Sequence, residues 1–217
     1  MGAVTNIPKD DIKMVLRQNK SGFTMVELLV VLAVSSIVFT LMYQVYRSQL
    51  KSHTTQQELV EMQQNMRAAL YLMEREIRMA GYSPALANPP TPITHAESGR
   101  MRFSMDLTGD SDTADIGERI TYSKTPGNGN PLVRNDENGT GAGSILEGVD
   151  IEDLEFRYKD EDGQTISDAD LATTGGRDSI RTVEIILTAS IGTTVMVDPH
   201  RMELRSEVKV RNMGINF

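Results

Sequence analysis

From Phe23 to Tyr46 the chain reads FTMVELLVVLAVSSIVFTLMYQVY, 24 residues whose one charge is Glu27. About 20 consecutive apolar residues cross a bilayer as a helix, so this run is long enough to span one. Upstream lie Lys9, Lys13, Arg17 and Lys20 against Asp10 and Asp11; downstream the nearest cations are Arg47 and Lys51. Basic residues are retained on the cytoplasmic side, which puts the N-terminus inside and the chain after Tyr46 outside the cytoplasm. A cleaved secretory signal would have an apolar core of about 7–15 residues followed by a small-residue site. Here the run is longer, its exit Tyr43-Gln-Val-Tyr-Arg47 offers no such site, and the small residue, Gly22, stands before it.

Further along, no Pro or Gly occurs from Phe23 to Ala80; Gly81 and then Pro84 are the first breakers. A glycine with a proline soon after is a helix stop, so one helix of 58 residues is predicted. At 1.5 Å per residue it would be roughly 87 Å long. Its second half places Leu59, Met62, Met66, Ala69, Met73, Ile77 and Ala80 at 3–4 spacing, with Leu70 on the flank. That is one apolar stripe on a polar helix, the face a sheet would cover. Glu74, Arg75, Glu76 and Arg78 read as a solvated, ion-paired face.

The Pro-rich stretch from Ser83 to Gly99 reads as an extended connection, and beyond it the period changes to two. Met101, Phe103 and Met105 alternate with polar residues, as do Ile120 and Tyr122, then Leu154, Phe156 and Tyr158. Ile180–Ile191 is a more continuous run suited to a central strand, and Met202, Leu204, Val208 and Val210 alternate with charges. These predict strands of one antiparallel sheet with one face buried. Lys159-Asp-Glu-Asp-Gly-Gln164 is a hairpin turn pattern. The fold class is therefore α+β: a long N-terminal helix, half membrane and half amphipathic, packed on an antiparallel sheet.

The segment Lys20-Ser-Gly-Phe-Thr-Met-Val-Glu27-Leu-Leu-Val-Val-Leu resembles the class III signal of type IV prepilins. The resemblance implies that prepilin peptidase cuts between Gly22 and Phe23, that Phe23 is then N-methylated, and that the apolar helix is kept as filament core. It implies the type IV pilin fold and the division 1–22 leader, 23–46 membrane and filament-core helix, 47–81 amphipathic continuation and 82–217 periplasmic head. Many major pilins have a proline within this helix; this chain has none. The passage Arg67–Tyr82 is similar to the helix end of PilW-type minor pilins, and to that of J-type pseudopilins of type II secretion.

Glu27 has a reading of its own. A carboxylate within a bilayer span is costly and marks a functional position. One reading has it reach the headgroups or favour the helix dipole. The other, implied by the resemblance, pairs it with the amine of Phe23 on a neighbouring subunit, so that cleavage creates the partner of the buried charge.

Composition narrows the remaining classes. The 217 residues carry 22 basic and 30 acidic side chains, a net charge of −8, and no cysteine. An acidic chain is a poor partner for nucleic acid, and the face from Arg201 to Arg211 mixes both signs where a DNA stripe would be uniformly basic. Disulfides and cysteine nucleophiles are excluded. His53, His95 and His200 are far apart with no ligand spacing, and neither a nucleophile elbow nor a phosphate-binding GK[ST] loop occurs. The Gly- and Asn-rich stretch from Gly127 to Gly143 reads as a surface loop, and its Asn138-Gly-Thr140 sequon is discounted for a bacterial filament protein. Asp106, Asp110 and Asp112 form the best cation candidate, a weak calcium site without the EF-hand spacing. No other metal or cofactor is expected, and no catalytic residue.

The expected function is structural: a minor type IV pilin that helps prime pilus assembly at or near the tip. Its alternatives are a J-type pseudopilin and a tip module that binds calcium, DNA or a surface. The implied partners are prepilin peptidase, other minor and major pilins through the N-terminal helix, the inner-membrane assembly machinery, and the inner membrane itself before assembly. The expected location is the bacterial inner membrane, then the pilus.

Overall fold

The computed structural model of the chain describes residues 22–85, 89–125, 131–139, 141–146, 149–191 and 200–213. The leader cations, Thr140 of the sequon and Gly127 lie outside the described residues. The chain divides into two compact units, Met1–His53 and Thr54–Phe217.

Helix α1 runs over Met25–Ile77, 53 residues, and supplies what is described of the first unit beyond its cap. It starts two residues later than the sequence predicts because Thr24 serves as cap. The Glu27 N–H donates to Thr24 Oγ1 (3.2 Å), and the Leu28 N–H donates to the Thr24 carbonyl (3.2 Å). It ends three residues early because the last turn tightens: the Met79 and Ala80 amides donate to the carbonyls three residues back, of Glu76 and Ile77. Gly81 then turns the chain with φ +75° and donates its N–H to Ser104 O at 2.8 Å.

Within the second unit the stripe is buried as its spacing predicts. Met62, Met66, Ala69, Leu70, Met73, Ile77 and Ala80 all lie in the core, with Leu59 partly buried against it. The β elements are β1 (Ile93–Glu97), β2 (Arg100–Ser104), β3 (Arg119–Lys124), β4 (Leu132–Asp136), β5 (Gly141–Ser144), β6 (Asp150–Lys159), β7 (Thr182–Ile191) and β8 (His200–Lys209). All neighbouring pairs are antiparallel.

These strands form two sheets, β1-β2-β3-β4-β5 and β6-β7-β8, where the sequence predicts one. Alternation reveals that a run is a strand and which face is buried; it does not say which strand pairs with which. The strands of the first sheet are 4–6 residues long and those of the second are ten. Lys124 of β3 donates its ammonium to the Glu152 carbonyl of β6, which ties the sheets together. The stretch read as a Gly/Asn loop contains β4 and β5, a correction. Arg134 and Asn135 of β4 break the apolar alternation, so its strand character comes from pairing with β3 and not from its own pattern.

The turn after β6 forms where predicted: Gly163 has φ +77°, and the Asp160 N–H donates to Gln164 O at 3.0 Å. It does not lead directly into β7. Two short helices intervene, α2 (Asp168–Leu171) and α3 (Thr174–Asp178), capped by the hydroxyls of Ser167 and Thr173. The whole remains α+β, a long apolar-starting N-terminal helix with antiparallel sheets, the arrangement of the type IV pilin fold.

Candidate functional site

The first unit presents an unusual surface. From Met25 to Leu50 every apolar side chain of α1 is exposed, and Phe23 before it is 81% exposed. Keeping a large apolar side chain in water costs about 1.5–3 kcal/mol relative to burying it. More than a dozen in a row demand a cover of lipid or of protein. Among the described residues this is the one helix long and apolar enough to cross a membrane.

Its polar side chains suit that setting. Ser36 Oγ donates to Ala33 O (2.7 Å) and Thr40 Oγ1 to Ser36 O (2.8 Å), so neither hydroxyl needs water. At the exit, Arg47 lies over the Tyr43 ring at 6.0 Å from its centroid. Tyr and Arg at the end of an apolar run are interface anchors.

Glu27 is the exception. It falls in the first turn of α1, three residues after the Thr24 cap. Thr-x-x-Glu is capping-box spacing, and a carboxylate in the first turn favours the helix dipole. Among the described residues its carboxylate has no ion-pair partner.

Residues 17–43 match the family described as the prokaryotic N-terminal methylation motif. At its N-terminus the chain is pilin-like. The match takes in Gly22, Phe23, Glu27 and the uncovered apolar helix as far as Tyr43, and nothing of the second unit. Comparison with the curated proteins and with the solved structures gives no match. The motif implies processing by prepilin peptidase and assembly with other pilins. It supports a type IV pilin or pseudopilin, and is the motif of a structural subunit.

In the second unit of this pilin-like chain the three aspartates of the calcium reading do not converge. Asp106 points inward and is fully buried: its carboxylate accepts from Ser83 Oγ (2.8 Å), Gly109 N–H (2.6 Å) and Ser111 N–H (3.2 Å). Burial disfavours its charge, but these hydrogen bonds outweigh that and hold its pKa below the ordinary value. Asp110 accepts from the Asp112 amide and Asp112 from the Ala114 amide, each in its own local turn. The three carboxylates that the calcium reading joins are thus used separately. Among the described residues no three His, Cys, Asp or Glu side chains converge to hold a metal. His53 is exposed and His95 Nε2 stands 3.0 Å from Glu97 Oε1; the side chain of His200 is outside the described residues.

Sequence reasoning missed two polar clusters. Glu118, fully buried, accepts from the Leu107, Thr108 and Asp115 amides and so, with Asp106, holds loop 106–118 together. Glu76 is not on a solvated face: it accepts from Tyr122 Oη (2.6 Å) and Arg134 Nε (3.0 Å), joining α1 to β3 and β4. Burial first, and then the Glu76 charge, pushes the Tyr122 hydroxyl well above its usual range. Glu74 likewise accepts from Ser206 of β8, whereas Arg75 and Arg78 are exposed as expected. The signal was present. Glu76 lies one heptad after Ala69, which leaves it about 20° off the buried stripe.

Proposed function

We propose that this chain is a minor type IV pilin of the PilW type, which helps prime pilus assembly and sits at or near the tip. The observation that supports this reading is a methylation motif set on a helix whose apolar side chains from Met25 to Leu50 are exposed among the described residues. The chain inserts with its N-terminus cytoplasmic and its head periplasmic. It is cut between Gly22 and Phe23, which leaves Phe23 as a methylated N-terminus. Residues 23–46 are then drawn from lipid into a filament, where the same helices of neighbouring pilins replace the lipid. The exchange leaves apolar burial nearly unchanged, so close packing and the charge at Glu27 decide its direction. Removal of residues 1–22 takes away four basic and two acidic side chains, so the net charge goes from −8 to −10.

The similarity of Arg67–Tyr82 to the PilW type supports the minor role, and the same passage supports a J-type pseudopilin as the second reading. Deleting the chain from its host separates them. Loss of pili in the deletion strain, with this chain present in the sheared filaments of the parent strain at far below one copy per major subunit, is the expected result. Abundance equal to the major subunit, or unchanged piliation, contradicts the proposal. Intact pili with lost protein secretion selects the pseudopilin.

A further inference from the structure

Glu74 and Glu76 stand two residues apart on α1, which at about 3.6 residues per turn puts them on opposite flanks of the stripe through Met73 and Ile77. Each flank reaches a different sheet. Glu76 accepts from Tyr122 Oη (2.6 Å) and from Arg134 Nε (3.0 Å), and Tyr122 of β3 is the cross-strand partner of Arg134 in β4. The first sheet thus offers a donor pair at one point of the helix. On the other flank Glu74 accepts from the Ser206 hydroxyl of β8, in the second sheet. The Glu76 and Arg134 side chains are 13% and 23% exposed, so their pairing is largely withdrawn from water.

The apolar stripe between them is a poor ruler of axial position. Withdrawing α1 toward its N-terminus by four residues, about 6 Å, brings each side chain to the place of one on the same face. Met66, Leu70 and Ile77 would arrive at the buried places of Met62, Met66 and Met73, apolar for apolar. Methionine adapts its shape to such exchanges, and swaps of similar volume are well tolerated. Met73, arriving at the place of Ala69, is opposed by its size. The ties at the end of the helix, Gly81 N–H to Ser104 O (2.8 Å) and Asn212 Nδ2 to Ala80 O (3.2 Å), are between neutral groups, weaker than charge-assisted bonds.

The polar flanks discriminate where the stripe does not. The same step takes Glu76 from Tyr122 and Arg134 and sets Ala80 there, and it drives Glu74 into the buried place of Leu70. Breaking a largely buried pair leaves a charge without compensation, and fixing register is the best-attested use of such pairs. We propose that Glu76 with Tyr122 and Arg134, and Glu74 with Ser206, form a lock that fixes α1 lengthwise against both sheets and carries an axial pull on the helix into the second unit. That the helix is pulled rests on its proposed place in a filament. The lock itself is a property of the isolated chain, so its test can fail without touching that reading.

The chain has no cysteine, so Ser48→Cys on α1 and Glu161→Cys in the turn after β6 give two unique handles on the full chain in detergent micelles. Held at constant low force between them, single molecules report the lifetime before the first extension. Glu76→Gln keeps the size and removes the charge, and should shorten that lifetime at least about tenfold. The control is Tyr158→Phe, which removes a buried hydrogen bond to Glu97 O (3.0 Å) on β1. It lowers stability without touching the lock, and should leave the lifetime within about threefold of the parent's. If the circular dichroism of Glu76→Gln departs from that of the parent, Tyr122→Phe takes its place, judged against the same control. A lifetime equal to the parent's, or no shorter than that of Tyr158→Phe, overturns the proposal.

Discussion

Glu27 carries two physical roles that a single substitution separates. As the third residue after the Thr24 cap it suits a capping box, a position that glutamine fills as well as glutamate. As a charge within an apolar helix it requires a partner, and the proposed one is the Phe23 amine of a neighbour. Glu27→Gln therefore keeps the cap and removes only the charge. If the pair exists, the buried amine is stranded at a cost of roughly 3–5 kcal/mol, and the chain should insert normally yet be depleted in filaments. If only the dipole matters, the loss is about 0.3–1 kcal/mol and incorporation survives. The readout is the ratio of this chain in sheared filaments to that in membranes, and equal ratios for variant and parent remove the pairing. In the second unit, Asp106 governs a pH effect. Its folded pKa lies below the ordinary 3.8, so its contribution is fully present above that value and is lost as pH falls through the lowered one. Asp106→Asn should be less stable than the parent at neutral pH, and the gap in melting temperature should narrow on acidification below 3.8. A gap that does not change with pH would mean that the charge of Asp106 contributes nothing. The chain of carboxylates around it was visible in the sequence, but its purpose was not. Acidic loops that bind cations and acidic loops that bind their own amides look alike until the backbone direction is known.

At the scale of elements, α1 is legible almost to its ends. A gap of 3–4 residues between buried positions reports a helical face directly, and Met62 through Ala80 follow it without exception. Its stop is legible for a firmer reason. Gly81 adopts φ +75°, and a Cβ there would sit 2.6 Å from Pro92 Cγ. Gly81→Ala thus meets both a left-handed backbone and a steric conflict, and should lower stability by more than about 1 kcal/mol. Urea denaturation of the chain should show this as a lower midpoint with an unchanged slope; a midpoint equal to the parent's would mean that the turn relaxes freely. β1, which falls in the stretch read as an extended connection, and β4, β5, α2 and α3 were not legible. They are four or five residues each, too short for a period to declare itself, and the hydroxyl caps of Ser167 and Thr173 were the only local cues to the two helices.

For the whole molecule, the two units meet opposite requirements. Among the described residues the second buries its methionine stripe, the rings of Phe103, Tyr122, Phe156 and Tyr158 and the carboxylates of Asp106, Glu118 and Asp136, whereas the first leaves its apolar side chains exposed. The sequence announces that contrast through composition alone: a 24-residue run with one charge, followed by a chain in which apolar and charged residues alternate. The assignment of strands to two sheets rests on long-range pairing and stays hidden in any local reading. The central claim, that this chain is a prepilin whose apolar helix is kept after cleavage, is tested most directly by the mass of the N-terminal peptide of the protein isolated from membranes or filaments. The account predicts a peptide that begins at Phe23 and carries one methyl group on its amine. A peptide that begins at Met1, or a chain cut after Tyr46, would contradict it.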